Sequence, residues 1–220
     1  MTRAAATGSL APAHAAELIR HYVRENGGSS AIARGGGVVG NGRTAQAVAG
    51  RLGGFISDVA AFGLNQALRR AGLPELIGRP LSEILAGLLD KIGGPANTID
   101  DVDARNALAR LQDKLLADAE DPDEVEQILS ARASELEAVL IEFFSFYLFE
   151  QFCRVFFERL MQRVGELKAQ SFLNDIESFI RSALLNRTSG RNLTGIDWAG
   201  PDGQALVADI MEATLKVFEA

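Results

Sequence analysis

The chain has 220 residues, 47% of them apolar and 23% charged, with a formal charge of −7. That apolar share supports a buried core and excludes wholesale disorder, while the negative charge argues against binding nucleic acid over the whole surface. Cys153 is the single cysteine, so no internal disulfide can form and a reducing compartment is the simplest home.

Residues 1–9 are small and polar and read as a flexible N-terminal tail, followed by one helical domain over 10–220. The start lacks the apolar run of a secretory signal. The strongest apolar run, Phe143 to Phe149, lies between Glu142 and Glu150 and is far short of the roughly twenty residues that cross a bilayer. The chain therefore reads as cytoplasmic, with no membrane partner.

From Pro12 to Glu25, Leu18, Ile19, Tyr22 and Val23 share one side of a predicted amphipathic helix, stopped by Asn26-Gly27-Gly28. His14 and His21, two turns apart on it, are too distant to chelate one metal. Ten of the 22 glycines then fall between residues 27 and 54. A second helix is expected from Arg43 to about Ala71. Its internal glycines at 50, 53, 54 and 63 each cost about 1 kcal/mol relative to alanine, so a second helix packed against those bare positions is expected to compensate.

Pro80 is placed to start the next helix, and Gly93-Gly94-Pro95 ends it. Thr98 with Asp101 has the spacing of a capping box opening a helix to about Asp118, and Asp100, Asp101 and Asp103 read as capping acids rather than cation ligands. Asp121-Pro122 marks a further start and Ser134 with Glu137 another, giving helices over 122–131 and 134–165. Phe143, Phe144, Phe146, Tyr147, Phe149, Phe152, Phe156 and Phe157 encircle the second of these, which must be covered by its own fold or by another subunit. A homodimer is one way to cover it. Cys153 sits in that apolar context as a structural residue. Two helices near 169–187 and 202–219 complete an all-α, compact domain of about seven helices with a Gly-rich interhelical loop.

Residues Gly37 to Thr44 read G-x-x-x-x-G-R-T, one residue from a phosphate-cradling loop. Such a loop needs a buried strand before it and a lysine where Arg43 stands. The preceding "SSAIARGG" is no strand, so a connection exposing Arg34, Arg43 and Arg51 is the preferred reading. A nucleotide-binding switch is the alternative. No catalytic constellation, cofactor site or metal site is otherwise visible.

Charge is polarised along the chain. Residues 1–51 hold six arginines against Glu17 and Glu25, whereas residues 98–150 hold fourteen acids against four bases. This fits a chain that meets a partner, and equally fits solvated helix faces. Trp198, the only tryptophan, suits a core cap or a partner hot spot.

The stretches "YVRENGGSSAIAR" (22–34), "GGFISDVAAFGLNQALRRAGLPELIGRPLSEILAGLLD" (53–90), "TIDDVDARNAL" (98–108) and "IDWAGPDGQALVADIMEATLKVFEA" (196–220) together resemble the B subunit (QatB-type) of the Qat anti-phage defence system. The resemblance implies a non-enzymatic helical component of an antiviral complex, alongside an ATPase, a QueC-like protein and a TatD-like nuclease. It makes the QueC-like protein the first partner to expect, with Tyr22, Arg24, Gly27, Gly28, Arg34, Arg43, Asp197 and Trp198 as partner-binding candidates. It further implies that an N-terminal amine could serve that partner as acceptor. Residue 2 is Thr, and a glycine end arises only if trimming exposes Gly8.

Overall fold

Glycines with positive φ stand at the ends of helices, at Gly63, Gly94 and Gly165 among others, and the chain turns at those points. The computed structural model describes residues 12–33, 42–184, 193 and 195–219. They form ten α-helices: α1 (Pro12–Glu25), α2 (Ser29–Ala33), α3 (Arg43–Phe62), α4 (Leu64–Arg70), α5 (Leu81–Gly93), α6 (Ile99–Leu115), α7 (Pro122–Arg132), α8 (Leu136–Val164), α9 (Glu166–Leu184) and α10 (Pro201–Lys216). Short 3₁₀ turns occupy Pro74–Leu76 and Ala133–Glu135, and there is no strand among the described residues. The all-α expectation holds.

Two of the ten helices have no counterpart among the individually predicted ones, each for a local reason. The expected single helix over 43–71 is broken at Gly63, whose φ of +79° is costly for any residue with a Cβ. The carboxylate of Glu126 on α7 then accepts from Leu64 N at 2.6 Å and starts α4. The second is α2, where Glu219 accepts from both Ser29 N (2.6 Å) and Ser29 Oγ (2.8 Å). A carboxylate from the far end of the chain thus caps a five-residue helix too short to signal itself.

The capping box is complete: Asp101 N donates to Thr98 Oγ1 and Thr98 N donates to Asp101 Oδ2. Asp121 likewise accepts from Glu124 N ahead of Pro122. Ser134 does not cap. Its hydroxyl donates back to Ala131 O at 3.0 Å, and the chain passes from α7 through a 3₁₀ turn into α8.

The Phe-rich α8 runs through the middle, packed against α6 and α9 along its length and against α3 and α10 elsewhere. Phe143, Phe144, Phe146, Tyr147, Phe149 and Phe152 are all buried by the chain's own helices. Only Phe156 and Phe157, further along, are half-buried. Arg110 on α6 ties the three helices together: it donates to Glu150 and Glu177 and lies over the rings of Phe146 and Phe149 at 4.8 and 4.9 Å. Other acids of residues 98–150 are met within the fold in the same way, through Lys114–Glu142, Arg132–Glu135 and Arg154–Asp103.

Two of the three acids at the start of α6 turn inward rather than cap. Asp100 accepts from the Tyr147 hydroxyl and from Gln151 Nε2 (3.2 Å), and Tyr22 on α1 donates to Gln151 Oε1 at 3.3 Å. Asp103 is buried and paired with Arg154 at 2.8 Å. Only Asp101 does the capping expected of the trio, because the other two face α8, where apolar neighbours leave a polar side chain few alternatives.

Candidate partner-binding cleft

The glycines of α3 find their compensation in Trp198, which the sequence does not place beside them. A Cβ on Gly53 would sit 2.8–2.9 Å from ring carbons of Trp198, and a Cβ on Gly203 of α10 would sit 2.6 Å from Trp198 Cα. The loop carrying Trp198 is therefore pressed between α3 and α10, with the indole N–H donating to Ser57 Oγ at 3.1 Å. Only 7% of Trp198 is exposed. A second helix is the expected partner for the bare glycine positions; at Gly53 and Gly54 the partner is instead Trp198 from a loop, while Gly63 does face a helix, through Glu126 of α7. Asp197, exposed, shapes that loop by accepting from Ala199 N and Gly200 N at 3.2 Å each.

Gly50 and Gly54 lie on the same side of α3, and their added Cβ atoms would meet Trp198 at no closer than 3.6 and 3.5 Å. That small-residue surface opens into a cleft of about 690 Å³ between α3, the ends of α4 and α5, and the Trp198 loop. The α3 positions lining it, Arg43, Ala47, Gly50, Gly54 and Asp58 among them, follow helical spacing and form one continuous face. Phe55, Ile92 and Val207, all buried, make the wall apolar.

Basic groups gather here. Arg51 donates from Nε to Ile92 O (2.6 Å) and from a terminal nitrogen to Gly93 O (3.3 Å), satisfying carbonyls at the end of α5. Burial pulls the Arg51 pKa below its ordinary value. Arg70 pairs with Asp58 at 3.0 Å and lies 4.8 Å from the Phe62 ring centre. Lys91, exposed in the last turn of α5, and Arg43, exposed in the first turn of α3, complete the set. Asp58 is the only acid among the described residues of the lining.

The partner-binding candidates separate in space. Arg43 and Trp198 meet at the cleft, with Asp197 next to it in the same loop. Tyr22 belongs to a different place: it is buried against α8, with its ring edge-on to Phe152 and Phe156. Burial raises its pKa far above the ordinary tyrosine value, and nearby Asp103 and Asp100 add to that rise against the opposing pull of Arg154. Arg24 and Gly27 are exposed at the end of α1, and Gly28 backs onto the Glu219 carboxylate. Gly8, Arg34 and the loop from Gly37 to Asn41 lie outside the described residues.

What remains of the phosphate-loop resemblance is otherwise engaged. Residues 29–33 before it form helix α2, not a strand. Thr44, which would hold a metal in such a loop, donates to Asp101 Oδ1 at 2.9 Å. No group of metal-ligating side chains occurs among the described residues, and none of their helices is long and apolar enough to cross a membrane. His21 pairs with Glu25 at 3.3 Å on an exposed face. Cys153 is half-buried, and burial followed by the Glu150 carboxylate pushes its thiol up to about 12.

Sequence reasoning missed Arg70, Lys91 and Asp58. Each sits at an ordinary helical position, and only the folding of α4 and α5 back along α3 brings them to one opening.

Comparison with known families adds a single finding: the family model of QatB, the Qat anti-phage system associated protein, matches residues 27–218. No curated protein and no solved structure matches the chain. The matched stretch holds α2 to α10 and every described residue that lines the cleft.

Proposed function

The chain belongs to the QatB family of Qat anti-phage system associated proteins, and from that premise we propose that it acts as a non-enzymatic helical subunit that binds the other proteins of the system. One observation supports this above the rest. A chain of net charge −7 assembles three arginines and a lysine against one acid around an open cleft with an apolar wall. Sites that recognise other molecules combine concave apolar surface with a few convergent polar groups in this way. The side chains suited to chemistry are committed elsewhere: Cys153 carries a raised thiol, Thr44 bonds Asp101, and Tyr147 bonds Asp100.

The QueC-like protein is the companion this reading puts first, with the ATPase and the TatD-like nuclease as further members of a cytoplasmic assembly. In the same reading the segment ahead of α1 offers an amine to the QueC-like protein, so that the chain is its substrate as well as its partner. Co-expression of the tagged full chain with a QueC-like protein from the same system tests the binding. The two should elute together in gel filtration; separate elution of two folded species at micromolar concentration would refute it. Intact mass of the chain recovered from that co-expression tests the substrate role, which predicts an added mass near the N-terminus.

A further inference from the structure

The cleft has a length and a charge pattern that together select one class of occupant. Its face on α3 runs from Arg43 to Asp58. At the helical rise that is roughly 22 Å, the reach of about seven residues of extended chain. Its wall is apolar at Phe55 and Trp198, and its cations lie towards the rim.

Not all of those cations are neutralised. Arg70 is balanced by Asp58. Arg51 spends its hydrogen bonds on the Ile92 and Gly93 carbonyls, which are neutral, and no acid among the described residues pairs with it. Lys91 is exposed at the same opening, its Nζ 3.5 Å from where a Cβ on Gly72 would be. We infer that the cleft takes an acidic, extended peptide segment of a partner protein, with an apolar side chain against Phe55 and Trp198 and carboxylates on Arg51 and Lys91. This rests on the reading of the chain as a partner-binding subunit and gives that binding its chemistry.

Other anions fit less well. A free phosphate would occupy a small part of the trough and leave its apolar wall wet. A nucleic acid would need a continuous cationic track to gain from counterion release, and the cleft offers a short one on an acidic molecule. A peptide uses both features: side chains for the wall, carboxylates for the rim.

Fluorescence anisotropy on the full chain tests this with a labelled peptide of alternating leucine and glutamate. The controls are the same peptide with lysine for glutamate, ATP, and a single-stranded DNA oligonucleotide. The acidic peptide should bind saturably and the lysine peptide should not. Lys91→Glu, an exposed change, should weaken binding about tenfold. Gly50→Leu should block the trough, and Asp58→Asn, by releasing Arg70, should tighten binding several-fold. Thermal melts would show that each variant is folded.

Equal binding of the lysine peptide, or wild-type affinity in both Lys91→Glu and Asp58→Asn, would overturn the inference. Displacement of the acidic peptide by ATP or by the oligonucleotide would reassign the cleft to phosphates and overturn it too. The probe is not a Qat protein, so the two ideas fail separately. Companion binding with no peptide binding strikes the cleft assignment alone, and peptide binding with no companion strikes the functional reading alone.

Discussion

Ring carbons of Trp198 stand 2.8–2.9 Å from where a Cβ on Gly53 would be, although 145 residues separate the two in sequence. The loop and the third helix are fitted to one another at that point, and the cleft beside them exists because α3 stays bare there. Gly53→Ala should therefore destabilise the fold by about 1–3 kcal/mol through overpacking. Gly50→Ala, three residues away, has room and should stabilise it by about 0.5–1 kcal/mol. Urea denaturation of both variants checks this, since equal effects of one sign would show that Trp198 does not press on α3.

Truncating the indole should be severe. Trp198→Ala removes a buried ring and leaves Ser57 without its donor, at a cost of about 3–5 kcal/mol. Loss of partner binding in that variant would accordingly reflect folding as well as contact. Unfolding curves measured beside any binding assay separate the two, and an unchanged midpoint would show the ring to be dispensable to the fold.

The start of α6 should report on pH. Slight burial opposes the shift, but hydrogen bonds from Thr44, Thr98 and Asn97 prevail and hold the Asp101 carboxyl below the ordinary value of 3.8. A depressed carboxyl stabilises the fold above its unfolded value, and that contribution is lost as pH falls through the folded one. Asp101→Asn should thus cost about 1 kcal/mol at neutral pH, and the gap to wild type should close in acid below pH 3.8. A gap that stays constant from neutral to strongly acid pH would mean the charge has no part in the cap.

Much of the helical frame was legible because its signals are local. Thr98 with Asp101 and Asp121 with Pro122 mark helix starts within one turn of chain, and both behave as their spacing requires. Gly63 was visible as a weak point, but whether a glycine bends a helix or ends it depends on what meets the next turn, here Glu126 from α7. Ser134 had the right neighbours and still does not cap, because α7 delivers the chain already in helical conformation. The cleft was illegible for a different reason. Arg43, Arg70 and Lys91 belong to three helices, and no short-range pattern says that α4 and α5 fold back onto α3. Asp100 and Asp103 looked like Asp101 in sequence; only the position of α8 makes them interior groups.

The inward-facing acids give a prediction about the core. Tyr147→Phe should leave Asp100 short of a donor and cost about 1–3 kcal/mol. The companion change Tyr22→Phe, which removes only the 3.3 Å bond to Gln151, should cost less, about 0.5–1.5 kcal/mol. Chemical denaturation of the two variants ranks them, and the reverse order would place the main anchor of the network on α1 instead of α8.

Cys153 should behave as a poor nucleophile. With its thiol pushed up to about 12, little thiolate exists at neutral pH. Iodoacetamide should label the folded chain far more slowly than it labels the chain in guanidinium. Fast labelling of the folded protein near neutral pH would contradict the burial assigned to it and would reopen a chemical role.

The central claim is that this member of the QatB family works by being bound, through a basic cleft on α3. Calorimetric titration of the purified full chain with its QueC-like companion, at low and at raised salt, tests this most directly. The account predicts saturable heat, weakened by salt and weakened again by Lys91→Glu. A titration with no heat from two folded proteins, or one indifferent to both salt and Lys91→Glu, would contradict it.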